Sequence, residues 1–378
     1  MRRLLLLVSA IVAVDTMFFA VLTPLLPHFA HAYGLSKATA GLLVAAFAAG
    51  ALVTAIPGGL VAARFGPKSA VLGGLTTMGA ASLGFALAGD AWSLGLARFL
   101  QGAGSAFSWG GGLAWLIAAA PRARRGEVLG TAMAAAIFGA LFGPVLGAAA
   151  ALAGTRPVFV GVAVLAAALL AWAIATPGAA REPQRLEALG PALRSPRLLG
   201  GYWLIALPAL LFGVLAVLVP LELAHDGWGA VAIASLFLAN AALETVLNPL
   251  LGRLADRRGP IGTVRFGLLG SVAVSIALAW AGRPVLVVVF VLAAGLAYGA
   301  FYTPALAIIS AGAESLGIAQ GLAFGLMNAC WAVGALLGPA AGGALAQAGG
   351  NTVPYLVSAA VCAATYAAAR PRFQVVRA

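Results

Sequence analysis

The sequence predicts an all-α membrane protein in which twelve transmembrane helices form two pseudo-symmetric six-helix bundles. Three observations lead to this prediction: the apolar composition, the number of long apolar runs, and a repeat of about half the chain. Hydrophobic residues make up 63% of the chain and charged residues 8%, and the mean hydropathy is +1.05. Soluble domains contain roughly 45–50% apolar and about 25% charged residues, so this composition indicates helices that lie in lipid.

Twelve apolar runs, separated by clusters of Arg, Pro and Gly, are long enough to cross a bilayer core, which needs about 20 residues per helix. The first run continues past Asp15 to Pro27 without a convincing cleavage site. It is therefore predicted to be a span and not a signal peptide. The predicted spans are residues 4–29, 38–62, 70–88, 92–118, 127–153, 157–176, 198–222, 229–251, 262–281, 284–310, 317–346 and 352–369.

The basic residues predict the orientation of the chain. With the amino terminus inside and the loops alternating, 18 of the 22 Lys and Arg residues lie on the cytoplasmic side. Three lie outside (Lys37, Arg156 and Arg283), and Arg98 lies within a span. This is the positive-inside pattern, so both termini are expected in the cytoplasm, in a multi-pass protein of the cytoplasmic membrane. The net charge of +12 then reports topology and indicates no nucleic-acid partner.

The two halves of the chain repeat each other. The segment GLVAARFG begins at Gly59 and GRLADRRG at Gly252, 193 residues later, while GALFGP begins at Gly139 and GALLGP at Gly334, 195 residues later. Such a duplication is typical of transporters that bind substrate between two halves near the membrane midplane. The predicted domains are an amino-terminal bundle over residues 1–176, a cytoplasmic linker over 177–197 and a carboxy-terminal bundle over 198–378.

Several motifs resemble those of the major facilitator superfamily over nearly the full chain. GGLVAARFGPK and GRLADRRGP resemble the loop motif between helices 2 and 3 and its copy between helices 8 and 9. RFLQGAGSA resembles the helix-4 motif. GALFGPVLG and DTMFFAVLTPLLP resemble helices 5 and 1 of the drug:proton antiporter branch, which is distantly similar to the vesicular monoamine transporters. The resemblance implies alternating access powered by a proton gradient, without a cofactor.

The chain departs from the family motifs at three places. The first loop copy has Ala63 where the family has an acid and Pro67 where it has a basic residue. A conformational latch is therefore expected only in the second copy, at Gly252, Asp256, Arg257 and Gly259. Helix 10 has no acid in AYGAFYTP, and the helix-11 position is Asn328, so monoamine specificity is not implied.

Three polar residues inside the amino-terminal half are candidates for proton coupling: Asp15, Arg98 and Gln101. A charge at mid-bilayer costs roughly 2.5–3.5 kcal/mol on insertion scales, so such residues tend to face cavities. Arg98 cannot lose its charge, and Asp15 is the acid at a compatible depth. The sequence therefore predicts a charge pair that opens and closes with protonation. The alternatives are a static structural pair and an Arg98 side chain that snorkels to the outer interface. The family resemblance, which assigns this Arg to proton transfer, favours coupling.

The candidate substrate-binding residues lie mostly in the carboxy-terminal half. Asn240, Glu244 and Asn248 are spaced i, i+4 and i+8 on one face of helix 8. The carboxylate favours a polar cavity, while interhelical hydrogen bonding would also suit the two Asn residues. Tyr298 and Tyr302 are expected to share a face of helix 10. For them and the other candidates, packing is the alternative to ligand contact; the others are Ser105, Ser108, Asn328 and Trp331.

Two further patterns have structural explanations. Gly139, Gly143 and Gly147, with Pro144 beside them, have the spacing that lets two helix backbones approach closely. The other pattern is a His28 and His31 pair near the end of helix 1, with no acid or Cys nearby, so no metal site is expected. Neither Cys330 nor Cys362 belongs to a metal-binding or redox motif.

The sequence thus predicts a monomeric secondary transporter that exports small amphipathic or cationic organic molecules in exchange for protons. Asp15 and Glu244 supply interior anions, and aromatic faces can take a cation. A proton symporter importing sugars or other neutral metabolites is the alternative within this fold. A non-transporting receptor or scaffold is the alternative of another class. Catalysis is not expected, because no nucleophile, base and orienting group occur together.

Overall fold

The computed structural model is all-α in the residues it describes, which are 1–121, 124–179, 189–258, 260–318 and 320–372. The side chains of residues 125–127, 129, 189, 191, 248–258, 260–261, 320–321 and 369–372 lie outside that description. The helices are α1 (Arg2–Ala20), α2 (Leu22–Ala32), α3 (Lys37–Phe65), α4 (Pro67–Leu87), α5 (Ala91–Ala119), α6 (Arg125–Ala153), α7 (Thr155–Ala175), α8 (Leu189–Arg194), α9 (Pro196–His225), α10 (Ala230–Arg258), α11 (Pro260–Ala279), α12 (Pro284–Gly299), α13 (Tyr302–Ser315), α14 (Gln320–Gly349) and α15 (Thr352–Arg372).

Proline explains why the helices outnumber the twelve predicted spans. The first span is divided at Val21 into α1 and α2, and the tenth at Ala300 and Phe301 into α12 and α13. Pro24 and Pro304 follow these breaks. A proline has no N–H for the carbonyl four residues earlier, and its ring clashes with that carbonyl. The residues at the breaks keep right-handed helical dihedral angles, so each span bends and continues. The remaining additional helix, α8, has six residues.

Ten helical segments in the described residues are long and apolar enough to cross a membrane, counting α1 with α2 and α12 with α13 as single spans. A shorter apolar helix covers Thr352–Ala368. The 29-residue α5 is not among the ten. It is rich in Gly and Ser and carries Arg98 and Gln101, which lower its mean hydropathy. With α5 and α15 included, the predicted twelve-span membrane fold is confirmed.

The chain forms two compact units. One comprises residues 1–35, 42–184 and 229–238, and the other comprises residues 36–41, 185–228 and 239–378. The division follows the two halves of the sequence except at the beginnings of α3 and α10. Each of these helices starts in one unit and continues in the other.

The same helix pairs pack in both units. In the first, α1 packs on α6 and α5, and α4 packs on α5 and α7. In the second, α9 packs on α14 and α13, and α11 packs on α12 and α15. Numbered as spans, these are helices 1–5, 1–4, 3–4 and 3–6 and their counterparts 7–11, 7–10, 9–10 and 9–12. The duplication seen in the sequence is therefore a duplication of helix packing.

The clearest similarity between the two units is a row of glycines at four-residue spacing, a glycine stripe, on α6 in the first unit and on α14 in the second. Gly139, Gly143 and Gly147 of α6 lie against the α1–α2 backbone at Ala13, Met17 and Val21, where a Cβ would overlap carbonyl oxygens or neighbouring side chains. Two of the corresponding glycines of α14 lie in the same way against α9, Gly334 at the Ala206 carbonyl and Gly338 at the Leu210 carbonyl, while Gly342 lies in looser contact with Val214. Both helix pairs run parallel. These contacts are the close backbone approach expected of small residues at four-residue spacing.

A capping box fixes the start of α5. The Ser93 backbone N–H donates to Asp90 Oδ1 at 2.8 Å, and the Asp90 backbone N–H donates to Ser93 Oγ at 3.3 Å. The first of these bonds holds the pKa of the Asp90 carboxyl below its usual value. Because α5 begins at a defined residue, the positions of Arg98 and Ser105 around its axis are also defined.

We expect Gly143→Ala and Gly338→Ala each to lower the melting temperature of the purified protein, because the added methyl overlaps the Ala20 Cβ in the first variant and the Leu210 carbonyl in the second. Overpacking of this kind costs about 1–3 kcal/mol. Gly130→Ala on α6 and Gly325→Ala on α14 are matched controls, since a Cβ there meets nothing within 4 Å. Equal melting temperatures for all four variants would contradict the packing role of the stripes.

Candidate functional site

Asp15 is a buried carboxyl on α1 with a single hydrogen-bond partner. Its side chain is 4% exposed. Ser105 Oγ, on the antiparallel helix α5, donates to Asp15 Oδ2 at 2.8 Å, whereas Oδ1 is buried without a partner. A buried carboxylate with an unpaired oxygen is costly, so the site accommodates the charge only in part.

Arg98 is held by the backbone of α1. Its Nη1 donates to the Phe18 carbonyl at 2.7 Å and to Gln101 Oε1 at 3.2 Å, and its Nη2 donates to the Phe19 carbonyl at 3.2 Å. The guanidinium also lies 4.9 Å from the centre of the Phe47 ring on α3. The side chain is 1% exposed, so these contacts replace solvent for a permanent charge.

The predicted pairing of Arg98 with Asp15 is wrong for this conformation. Asp15 is bonded to Ser105, and Arg98 is bonded to backbone carbonyls about one helical turn further along α1. The reason is the end of α1: its last carbonyls point along the helix axis and carry partial negative charge. These carbonyls therefore bind the Arg98 guanidinium, and Arg98 does not need the Asp15 carboxylate as a partner.

The energies of these contacts are sufficient to hold a buried guanidinium. Hydrogen bonds to a charged group contribute about 1.5–3 kcal/mol each, and a desolvated cation–π contact contributes about 2 kcal/mol. Desolvating an ion in a protein costs several kcal/mol. The carbonyls, Gln101 and Phe47 are together of the size required to offset that cost.

Gln101 and Ser108 on α5 have different surroundings. Gln101 is fully buried, accepts the Arg98 hydrogen bond through Oε1, and has an unpartnered Nε2. Ser108 is also fully buried, but it faces α4, with its Oγ 3.6 Å from Met78 Sδ and in contact with Gly74. The structure thus brings Gln101 to Arg98 and Ser105 to Asp15, whereas Ser108 packs between two helices.

On α10, Asn240 and Glu244 lie against two glycines of α12, Gly295 and Gly299. The Asn240 side chain contacts Gly295 and the Glu244 carboxyl contacts Gly299, leaving no unhindered space for a Cβ at either glycine. Asn240 is 6% exposed with an unpartnered Oδ1, and Glu244 is half-buried. The predicted shared face of these two residues is present. The side chain of Asn248 lies outside the described part of the chain.

Glu244 is connected with two aromatic residues of the second unit through Tyr302. The side chains of Tyr302 on α13 and Trp331 on α14 are hydrogen-bonded to each other, and Tyr302 interacts electrostatically with Glu244. Tyr302 and Trp331 are both half-buried. Asn328, three residues before Trp331 on α14, is half-buried as well. In the second unit, Tyr302 therefore connects a carboxylate, through an electrostatic interaction, with Trp331, through a hydrogen bond.

Tyr298 does not belong to this group. It is 1% exposed, its hydroxyl is 3.0 Å from Ser275 Oγ on α11, and its ring packs edge-on against Phe212 of α9. These contacts are those of a core residue, and they correct the expectation that both tyrosines face the same way.

The residues of the predicted conformational latch lie where the structure does not describe the side chains. Gly259 and the side chains of Asp256 and Arg257, like the surroundings of Gly252, lie outside the described residues. This part of the prediction stays a prediction. No group of three or more His, Cys, Asp or Glu side chains that could hold a metal ion occurs in the part of the chain that was described.

Sequence reasoning missed the groups that hold Arg98: the carbonyls of Phe18 and Phe19 and the ring of Phe47. One signal was available. Pro24 leaves the Ala20 carbonyl without its usual donor, which marks the end of α1 as a region rich in acceptors. Nothing in the sequence pattern singles out Phe47 among the apolar residues of α3.

Comparisons with known proteins agree with the fold. The family model of the Major Facilitator Superfamily matches residues 8–324. Human solute carrier family 67 member A1 is 30% identical over 185 residues, which is 47% of this chain and 42% of that protein. The chain thus matches less than half the length of this curated relative.

Solved transporter structures share the fold. The inward-facing, unoccupied structure of a bacterial homolog of the human lysosomal transporter Spinster superposes with a TM-score of 0.80 at 16% identity, covering 98% of this chain and 97% of that one. The xylose transporter XylE from E. coli gives 0.73 at 16% identity, covering 99% and 98%. The nucleoside transporter NupG gives 0.75 at 14% identity, covering 98% and 100%. At these identities the likeness establishes the fold alone.

We expect Arg98→Lys to lower the melting temperature and to abolish transport, because one ammonium cannot reproduce the planar guanidinium that bonds both carbonyls and Gln101. Arg64→Lys is the matched control: Arg64 lies 5.5 Å from the centre of the Phe65 ring at the exposed end of α3. Melting curves and liposome transport assays measure both effects. Normal activity of Arg98→Lys would show that a point charge is sufficient.

Proposed function

Because the chain belongs to the Major Facilitator Superfamily, we propose that it is a transporter that exports small amphipathic or cationic organic molecules in exchange for protons. The fold and the family are those of membrane transporters. Proton exchange, the direction of transport and the class of substrate are the proposed part. They rest on the two polar clusters described above and on the resemblance of GALFGPVLG to the antiporter motif.

The observation on which the proposal depends is the environment of Asp15. The carboxyl is buried in α1, it has one hydrogen bond from Ser105, and its second oxygen is unpartnered. A proton on this carboxyl would remove the charge whose desolvation the site compensates only in part. Asp15 is therefore the proposed proton carrier.

The carbonyls around Arg98 make such a change of protonation possible. If Asp15 were the partner of Arg98, each protonation would leave a buried guanidinium without compensation, which is strongly destabilising. In this structure the Phe18 and Phe19 carbonyls compensate Arg98. Asp15 can bind and release a proton while the cation keeps its acceptors. In this proposal the Arg98 charge sets the electrostatic potential near Asp15, and Gln101 helps to orient the Arg98 guanidinium.

The cluster on the second unit supports a cationic substrate. Glu244 supplies a carboxylate, Tyr302 interacts with it electrostatically, and Trp331 is hydrogen-bonded to Tyr302. The rings of these two aromatic residues are proposed to take the cation. Aromatic faces attract cations when both are desolvated. Arg98, the buried cation of the first unit, is already occupied by backbone acceptors and so offers little to an anionic substrate. Asn240 and Asn328 are proposed to add hydrogen bonds at the edge of this site.

The proposed orientation places both termini in the cytoplasm and the protein in the cytoplasmic membrane, on the arginine asymmetry of the loops. Substrate, protons and the lipid bilayer are the proposed partners, and the proposed transport unit is a monomer. Import by proton symport is the alternative for the same fold. The direction of the driving gradient separates the two, because antiport and symport require proton gradients of opposite sign to concentrate the same molecule.

We expect the protein in liposomes with an acidic lumen to accumulate ethidium, a permanently charged aromatic cation, and Asp15→Asn to abolish this accumulation. The amide still accepts the Ser105 hydrogen bond but cannot carry a proton. Ethidium exchange without a gradient should persist in the variant. Fluorescence quenching measures the accumulation, and counterflow of radiolabelled ethidium measures the exchange. Asp90→Asn, which keeps the α5 cap, is the control and should behave as the wild type.

Two results would overturn this assignment. Accumulation by Asp15→Asn at the wild-type level would show that Asp15 is not the obligatory proton carrier. Accumulation by the wild type only in liposomes with an alkaline lumen would replace antiport by symport.

We expect Glu244→Gln to weaken ethidium binding about tenfold or more, the effect of losing roughly 1.4 kcal/mol of interaction. Binding of phenanthridine, which has a similar ring system and is neutral at pH 7.5, should change little. Fluorescence titration of the purified protein gives both affinities. Glu314→Gln, at an exposed position near the end of α13, is the control. Equal losses for both ligands would demote Glu244 to a packing role.

A further inference from the structure

A cation near one end of α11, in the second unit, lies outside the two sites proposed above. Arg265 is the fourth residue of the apolar segment Gly262–Ala279 of this helix. Its side chain is exposed, as are those of its neighbours Phe266 (61%) and Leu269 (53%). Large apolar side chains that remain exposed on a membrane span face the hydrocarbon of the bilayer. Arg265 therefore lies on the lipid-facing side of α11, close to the membrane surface.

Arg265 contacts an aromatic ring within the protein. Its guanidinium carbon lies 5.9 Å from the centre of the half-buried Tyr366 ring on α15. The described part of the chain gives Arg265 no hydrogen bond and no ion pair. A cation–π contact positions a guanidinium without removing its charge. The negative charge that balances Arg265 is therefore left for the surroundings of the protein to supply.

The two helices that meet at Arg265 contain basic residues and no acid. Thr352 Oγ1, at the start of α15, donates to the Ala279 carbonyl at the end of α11 at 3.2 Å, so the helices run antiparallel. The end of α15, where the sequence has Arg370 and Arg372, thus lies at the start of α11. Neither helix contains an Asp or Glu residue. This end of the helix pair therefore has a net positive charge.

The lipid-facing surface of α15 beside Arg265 is a shallow trough. Trp203 of α9, which is 42% exposed, borders it on one side and donates its indole N–H to Thr365 Oγ1 at 3.0 Å. Arg265 and Phe266 of α11 border it on the other side. Every exposed residue of α15 between positions 358 and 368 is an alanine, and together they form the alanine trough: Ala360, Ala363, Ala364, Ala367 and Ala368. An acyl chain can lie along this floor between the larger side chains.

We propose that Arg265 and the alanine trough bind one anionic phospholipid, with its phosphate at the guanidinium and an acyl chain along the alanines. The planar guanidinium suits a phosphate, and basic pockets between membrane helices bind acidic head groups. A zwitterionic lipid fits less well, because α11 and α15 have no acid to receive its amine. The alternative is an Arg265 side chain that snorkels to the phosphate of any lipid. This site is independent of the proposed transport function.

The experiment titrates the full-length protein, in a neutral detergent, with dioleoylphosphatidylglycerol or dioleoylphosphatidylcholine and counts bound lipids by native mass spectrometry. We expect the wild type to prefer phosphatidylglycerol and Arg265→Gln to weaken its binding about fivefold, the effect of one basic residue at a membrane surface. Arg265→Lys, which keeps the charge, should lose less. Arg64→Gln is the matched control and should bind as the wild type, since Arg64 is also exposed and lies 5.5 Å from the centre of a ring, that of Phe65, in the first unit.

A second measurement locates the lipid without changing Arg265. Phosphatidylglycerol with brominated acyl chains should quench Trp203, seen as quenching that is lost in Trp203→Phe. Equal affinity of the wild type for both lipids, or equal losses in Arg265→Gln and Arg64→Gln, would overturn the site in favour of snorkelling. Displacement of the lipid by equimolar glycerol 1-phosphate would overturn it in favour of a site for free phosphate. Loss of ethidium accumulation with normal lipid binding would count against the proposed transport function alone.

Discussion

Burial of the Arg98 guanidinium is the constraint on which the first unit depends. A permanent charge that is 1% exposed needs acceptors close by, and the end of α1 provides them through the Phe18 and Phe19 carbonyls. The bend at Val21 makes these carbonyls the end of a helix, and the parallel packing of α1 on the α6 glycines keeps that end in position. In the proposed function, Asp15 can gain or lose a proton because these carbonyls compensate Arg98 whether or not Asp15 is charged.

Much of the fold could be predicted from the sequence because its determinants are local or periodic. Apolar runs of bilayer length fixed the spans, and the 193- and 195-residue offsets anticipated the repeated packing of α6 on α1 and of α14 on α9. The bends were missed, although Pro24 and Pro304 mark both. A hydropathy run averages over single prolines, and so it reports a span without its internal break.

The buried polar residues of the candidate site could be picked out from the sequence, but most of their contacts could not. Asp15, Arg98 and Gln101 were recognised because an ionisable or amide group in an apolar run is conspicuous. Their partners were not, since backbone carbonyls and one phenylalanine among many leave no mark on composition. Helical spacing placed Asn240 and Glu244 together correctly. It did not separate Tyr298 from Tyr302: Tyr298 packs against Ser275 and Phe212, whereas Tyr302 is bonded to Trp331.

The capping box at Asp90 gives α5 a property that its composition does not show. From this fixed start, α5 presents Arg98 to the α1 carbonyls and Ser105, two turns later, to Asp15. Inserting or deleting one residue between Asp90 and Arg98 would rotate all that follows by about 100°. Both contacts would be lost together. In evolutionary terms, this stretch of α5 can accept many exchanges of one apolar residue for another, but its length is not free to vary.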